Sequence, residues 1–206
     1  MTELDSVDGD GGAIKHQVLK DINHRFRNSF QSLISYIGVM YGSRESVSQV
    51  EIQKLVRFVH AISALHTIGL GEVSEGEIGN RVRLDHLIGS VIQLNASEKT
   101  IEVNLIPELR GTYRQAASLG LVLNELLDNA VRHGEEFIKV TILPAAAGGA
   151  SITVSNGVTS ESYIGPSSNG TGLRLVELLA KNDLLSEPVI RREAGCFDVT
   201  ITIPPW

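Results

Sequence analysis

Between Leu19 and Met40 the apolar residues Leu19, Ile22, Phe26, Phe30, Leu33, Ile37 and Met40 recur at steps of three and four. That rhythm describes one side of a long helix. Such a helix is marginal by itself and gains its stability by laying the apolar side on another surface. His24 does not belong to that side. At about 100° per residue it lies roughly 200° from both Ile22 and Phe26. Asp21 and Asn28 sit three residues before it and four after, on its own face. A lone histidine on such a face is ordinarily just solvated. The rest of the chain gives this one another meaning.

Helix one is expected from about Ala13 to Tyr41, and Gly42-Ser43-Arg44-Glu45-Ser46 reads as a turn. A second helix follows, with Val50, Ile52, Leu55, Val56, Val59, Ile62, Leu65 and Ile68 at helical spacing. It is expected to stop near Gly69 to Gly71. Two amphipathic helices with a short turn form an antiparallel hairpin. Its apolar stripe is expected to pack on a second copy, giving a four-helix bundle dimer. A coiled-coil spacer is the plainer alternative for the same pattern.

Past an acidic, Gly-containing linker at Glu72 to Asn80 the pattern changes. Val82 to Leu94 reads as a helix and Thr100 to Ile106 as a strand with period two. Tyr113 to Arg132 is a strong helix. Phe137 to Leu143 and Ser151 to Ser155 are strands. Gly157 to Asn169 is a polar loop and Thr171 to Lys181 a helix. Pro188 to Arg192 and Phe197 to Ile203 close the chain as a hairpin through Ala194-Gly195. The expected class is α+β: the helical hairpin, then an α/β sandwich with helices on one face of a mixed sheet. The expected divisions are 1–12, acidic and disordered; 13–71, the hairpin; and 80–206, the sandwich.

Composition removes several alternatives. With 206 residues, 42% hydrophobic and 20% charged, the chain is an ordinary globular protein of one or two domains. A net charge of −6 and scattered basic residues disfavour nucleic acid. The single cysteine, Cys196, excludes an intrachain disulfide and a zinc finger. No apolar run is long enough to span a bilayer, and no signal peptide is visible, so a cytoplasmic location is expected.

Two later stretches carry chemistry. In Leu121-Val122-Leu123-Asn124-Glu125-Leu126-Leu127-Asp128-Asn129-Ala130-Val131-Arg132-His133-Gly134, the residues Glu125, Asp128 and Asn129 share one helix face. Leu119, Leu123, Leu126, Leu127 and Ala130 supply the opposite, buried one. A carboxylate and an amide one turn apart suit hydrated Mg²⁺, and Arg132 or His133 adds positive charge for a phosphate. A merely polar solvent face is the plainer reading. In Asn169-Gly170-Thr171-Gly172-Leu173, two glycines open a helix whose free N–H groups favour an anion. Gly-x-Gly alone is a weak signal.

Taken in order, these three stretches resemble the transmitter core of bacterial sensor histidine kinases. The class is the one with the His-Arg-x-x-Asn phosphoacceptor box, which includes the HWE kinases. His24-Arg25-Phe26-Arg27-Asn28 matches that box. Arg57 with Ala61-Ile62 and Leu65-His66 is similar to the second helix of that family. Asn124 to Ala130 with His133-Gly134 is similar to its N box, and Gly170-Thr171-Gly172-Leu173 to its second glycine box.

The resemblance implies a homodimer with a GHKL-type ATPase domain after the helical hairpin. It implies protein-histidine kinase activity: ATP-dependent autophosphorylation on His24 and transfer to an aspartate of a response regulator. Asp21 would sharpen the His24 nucleophile, and Asn28 matches the position that orients a water for dephosphorylation. Asn129 would hold Mg²⁺ and Glu125 would order its water or ligands. Arg132 and His133 would lie near phosphate. Ser155 and Gly157 stand at the first glycine box, and Gly170 and Gly172 would let a lid close over ATP.

The chain departs from that family where an Asp-x-Gly-x-Gly box is expected after the strand Ile152 to Val154. Ser155-Asn156-Gly157-Val158-Thr159 stands there. A serine hydroxyl accepts a hydrogen bond from adenine without charge, and charge-assisted bonds are roughly twice as strong. Asn156 substitutes for the missing Asp only if the strand end shifts by one residue. With only about a dozen residues before helix one, no sensor domain is expected in this stretch, which reads either as a piece of a longer sensor or as a stand-alone transmitter. Both departures keep open a stand-alone histidine phosphotransferase that relays phosphoryl groups without binding ATP. A third reading, a scaffold or anti-sigma-type protein on the same fold, leaves the His24 face without a role.

Overall fold

The computed structural model describes residues 20, 27, 30–31, 33–38, 41–42, 46–74, 81–96, 100–135, 137–145, 149–158, 171–193 and 195–205. His24, Asp21, Asn28 and Gly170 lie outside the described residues, as do 1–12 and most of the polar loop.

The first helical stretch is continuous over 33–38 (α1). Helix α2 (Gln49–Ser74) starts with a reciprocal cap. The Ser48 Oγ accepts from the Glu51 N–H at 3.3 Å, and the Ser48 N–H donates to Glu51 Oε2 at 2.8 Å. Tyr36 of α1 stacks on Phe58 of α2 at 4.6 Å between ring centroids, and the Tyr41 hydroxyl donates to the Glu51 carbonyl at 3.0 Å. The glycines at 69 and 71 do not end α2, which runs on to Ser74. A helical glycine costs only about 1 kcal/mol. Ile68, just before them, is packed on the main core.

Val82, expected to open a helix, instead lies in a short strand, β1 (Arg81–Arg83). It pairs antiparallel with β3 (Arg110–Thr112), a strand absent from the sequence reading. Three residues are too few for a period to register. Helix α3 (Leu84–Asn95) follows at once. Helix α4 (Tyr113–His133) carries a full capping box between Thr112 and Gln115, with Arg132 and His133 in its last turn.

The main sheet has the order β2-β4-β5-β7-β6, from β2 (Ile101–Asn104), β4 (Ile138–Pro144), β5 (Ala150–Gly157), β6 (Val189–Glu193) and β7 (Cys196–Ile203). β2 and β4 are parallel and the other pairs antiparallel, so the sheet is mixed as expected. Gly195, at φ +84°, makes the tight turn between β6 and β7. Alternate residues Ile138, Val140 and Ile142, then Ile152 and Val154, then Val199, Ile201 and Ile203 are buried against α3, α4 and the last helix, α5 (Thr171–Asp183).

Helix α2 does not reserve its apolar stripe for another molecule. Ala61 and Leu65 are buried in the main core, and Phe58 packs with Tyr36, Leu121 and Leu175. The opposite side of the same stripe stays open: Ile52, Val56 and Val59 are about half exposed, as are Phe30 and Ile34 of the first helical stretch.

Candidate functional site

The site grows from the middle of α4. Leu119, Leu123, Leu127 and Ala130 sit in the core, as the spacing predicts. The polar face is not a solvent face. Glu125 is 1% exposed and Asp128 3%, because α2 covers them. Lys54 Nζ lies 3.0 Å from Glu125 Oε1 and 2.7 Å from Asp128 Oδ2. Arg57 reaches Asp128 Oδ1 at 2.5 Å, and Arg132 reaches Asp128 Oδ2 at 3.0 Å from one turn along α4. Two carboxylates thus meet three cations, two of them from the helical stretch. Ion pairs this deep repay their desolvation only through close geometry.

The cluster is incompletely satisfied. The Tyr36 hydroxyl, Arg57 Nε and Glu125 Oε2 have no hydrogen-bond partner among the described residues. A buried group left so costs about 1–3 kcal/mol. Burial, and then the negative charge of Glu125, push the Tyr36 phenol well above its ordinary range, so it stays protonated.

Asn129 is half-buried, and Arg132 and His133 are exposed at the end of α4. Arg132 is engaged with Asp128. Gly172, 47 residues beyond Glu125 in the chain, is seated on it: a Cβ there would collide with the Glu125 carboxylate. The start of α5 and the polar face of α4 are therefore in contact, and glycine permits the approach.

The end of β5, where Ser155-Asn156-Gly157 stands, is ordered by alternation. Ile152, Val154 and Asn156 point toward the helices, and Asn156 is 4% exposed beside Gly134 at the end of α4. Ser155 points to the other face of the sheet, across from Lys139 and Asp198. The residue on the helix side is thus the amide Asn156, with no shift of the strand end, and Ser155 is turned away. Gly157 has both backbone groups engaged: its N–H donates to the Phe137 carbonyl at 3.1 Å, and its carbonyl accepts from the Glu135 N–H at 3.0 Å.

For a magnesium nucleotide the fit is divided. Asn129 and the Gly172 end of α5 offer an amide oxygen and a close backbone approach. Asp128 and Glu125 Oε1 do not fit in this arrangement, since ammonium and guanidinium groups hold them, while Glu125 Oε2 stays without a hydrogen-bond partner among the described residues. Among the described residues no group of three or more His, Cys, Asp and Glu is placed to hold a metal.

Lys54 is the site residue the sequence reading missed. Its signal was legible: Lys54, Phe58, Ala61 and Leu65 follow helical spacing, so a charge interrupts the buried row. His66 packs against the start of α4, with Nδ1 2.9 Å from the Tyr113 hydroxyl, while His60 is exposed.

The fold is that of a histidine kinase domain. The chain superposes on the histidine kinase domain of the Erythrobacter litoralis EL346 blue-light activated histidine kinase with a TM-score of 0.62 and 19% identity, over 94% of this chain and 93% of that one. Against the longer EL346 blue-light activated histidine kinase the TM-score is 0.61 at 18% identity, over 98% of this chain and 63% of that one. No family model matches the chain, and no curated protein does. Among the described residues no helix is long and apolar enough to cross a membrane.

Proposed function

We propose that the chain is a two-component signalling protein that autophosphorylates on His24 from ATP and passes the phosphoryl group to an aspartate of a response regulator. The observation that carries this reading is the contact between Gly172 and Glu125. It joins the second glycine box to the N box at one place, on a fold shared with a histidine kinase domain. Mg²⁺-ATP would supply the γ-phosphoryl group. Asn129 would offer the metal an amide oxygen, and the N–H groups at the start of α5 would receive phosphate.

His24, with Asp21 three residues before it and Asn28 four after it in the sequence, would attack the γ-phosphorus of ATP, the N–P bond forming as the bond to the β-phosphate oxygen breaks and ADP leaves. The N–P bond would break in turn as the phosphoryl group passes to a carboxylate oxygen of the response regulator. The hairpin over 13–71 is supported at its closed end by the Tyr36–Phe58 and Tyr41–Glu51 contacts. The exposed row of Ile52, Val56 and Val59 is the surface a second copy would cover to complete a four-helix bundle. The sandwich over 80–206 would act as the GHKL-type ATPase domain.

A second reading is a histidine phosphotransferase that takes its phosphoryl group from an aspartyl phosphate without binding ATP. It is favoured by the cations on Glu125 and Asp128 and by an uncharged Asn156 on the helix side. Incubation with Mg²⁺ and γ-labelled ATP separates the two. Label in the wild type that disappears in His24→Ala supports the kinase. No label from ATP, with label acquired at His24 from a phosphorylated receiver domain, supports the relay. Label that persists in His24→Ala would sink both.

A further inference from the structure

We propose that Lys54 and Arg57 form an electrostatic latch, in which docking of α2 on α4 and binding of a metal nucleotide exclude each other. The inference rests on the ATP-dependent reading above.

The two occupants compete for one face of α4: Glu125, which would order the water or ligands of a metal on Asn129, is already bound by Lys54 through Oε1, while its Oε2 has no hydrogen-bond partner among the described residues. Lys54 Nζ sits between Glu125 Oε1 and Asp128 Oδ2, and Arg57 holds the other Asp128 oxygen. Nearby, Arg132 is the third cation on this face. A hydrated dication placed there would face three positive groups at close range, and its carboxylate partners would already be neutralised. Nucleotide therefore needs α2 to leave.

The docked state is also poised to open. Tyr36 Oη, Arg57 Nε and Glu125 Oε2 are buried without hydrogen-bond partners among the described residues. Undocking returns these groups to water. Phe58, Ala61 and Leu65 hold α2 down on one side, while Ile52, Val56 and Val59 lie exposed on the other. Helix α2 thus has a second apolar row through which a partner copy can retain it once it has swung away.

The test is a titration of Mg²⁺ with trinitrophenyl-ATP into the wild type and the double variant Lys54→Gln/Arg57→Gln. Wild-type affinity is reduced by the fraction of molecules that are undocked, so the variant is expected to bind about tenfold tighter or more. Equal binding by both overturns the latch and leaves the ATP-dependent reading standing. Binding by neither overturns both. Weaker binding by the variant overturns the latch, because the two cations would then be holding nucleotide.

The variant leaves Glu125 buried without an ion-pair partner among the described residues and Asp128 with Arg132 alone, which threatens folding, so a second measurement uses the wild-type cluster. Spin labels at Ser63→Cys on α2 and Lys181→Cys on α5, in a Cys196→Ser background, report the separation of the two helices. Both positions are exposed. Addition of Mg²⁺ and nucleotide is expected to lengthen the distance, and an unchanged distance overturns the proposal.

Discussion

Replacing Lys54 by methionine tests the cluster as a source of stability, apart from any ligand. The side chain is 10% exposed and touches two carboxylates that are 2% and 3% exposed. Methionine keeps the length of the stem and removes the charge. Asp128 retains Arg57 and Arg132, whereas Glu125 loses the only ion-pair partner it has among the described residues. Breaking a buried ion pair from one side costs about 3–5 kcal/mol, mostly because a charge is left uncompensated. With Asp128 still paired, the lower end applies, about 3 kcal/mol. In urea melts followed by circular dichroism at fixed protein concentration, that loss lowers the midpoint by about 1 M or more. The double variant Lys54→Met/Glu125→Gln removes both charges and is expected to recover at least about 1 kcal/mol relative to Lys54→Met alone. If Lys54→Met stays within about 0.5 kcal/mol of the wild type, or if Glu125→Gln gives no recovery, the charges are not coupled as described.

Gly172→Ala drives a methyl group into the Glu125 carboxylate and is expected to cost about 1–3 kcal/mol; an unchanged melting temperature would mean that the start of α5 does not sit on Glu125. Burial pushes the Asp85 carboxyl up, but hydrogen bonds from Arg83 and the Glu108 N–H, together with the Arg83 charge, outweigh it and hold it below its ordinary 3.8. That stabilisation is fully present above 3.8 and is lost as pH falls through the folded value. Asp85→Asn should therefore cost about 1–3 kcal/mol at neutral pH, narrowing below 3.8, and a pH-independent difference would refute the cause. Burial, aided by Asp198, pushes the Cys196 thiol from 9.0 up to about 11, so alkylation at pH 8 should run about 100-fold slower in the folded protein than in urea. Val56→Asp places a charge in the exposed apolar row and is expected to give a monomer by light scattering with its circular dichroism unchanged; a persistent dimer would place the interface elsewhere.

Much of the molecule could be read from spacing alone. The α4 helix is read almost to its ends, because Thr112 and Gln115 cap it and its leucines keep a helical period throughout. The strands β4, β5 and β7 are legible because each buries alternate residues against a helical layer and keeps period two. β1 and β3 are not, since a three-residue strand carries no period. Helix α2 overruns its glycines because packing of the helix outweighs a propensity cost of about 1 kcal/mol each.

The site divides along the same line. Local spacing settles that Glu125, Asp128 and Asn129 share a face of α4, because helical geometry relates residues three and four apart whatever surrounds them. It does not settle what lies on that face. Lys54 meets Glu125 across 71 residues of chain, and Gly172 meets it across 47. Nothing periodic in the sequence encodes those meetings. They exist because the apolar row of α2 is buried on α3 and α4, and because the sheet fixes where α5 begins. Period and caps determine the elements; the packing of elements distant in the chain decides which charges are brought face to face.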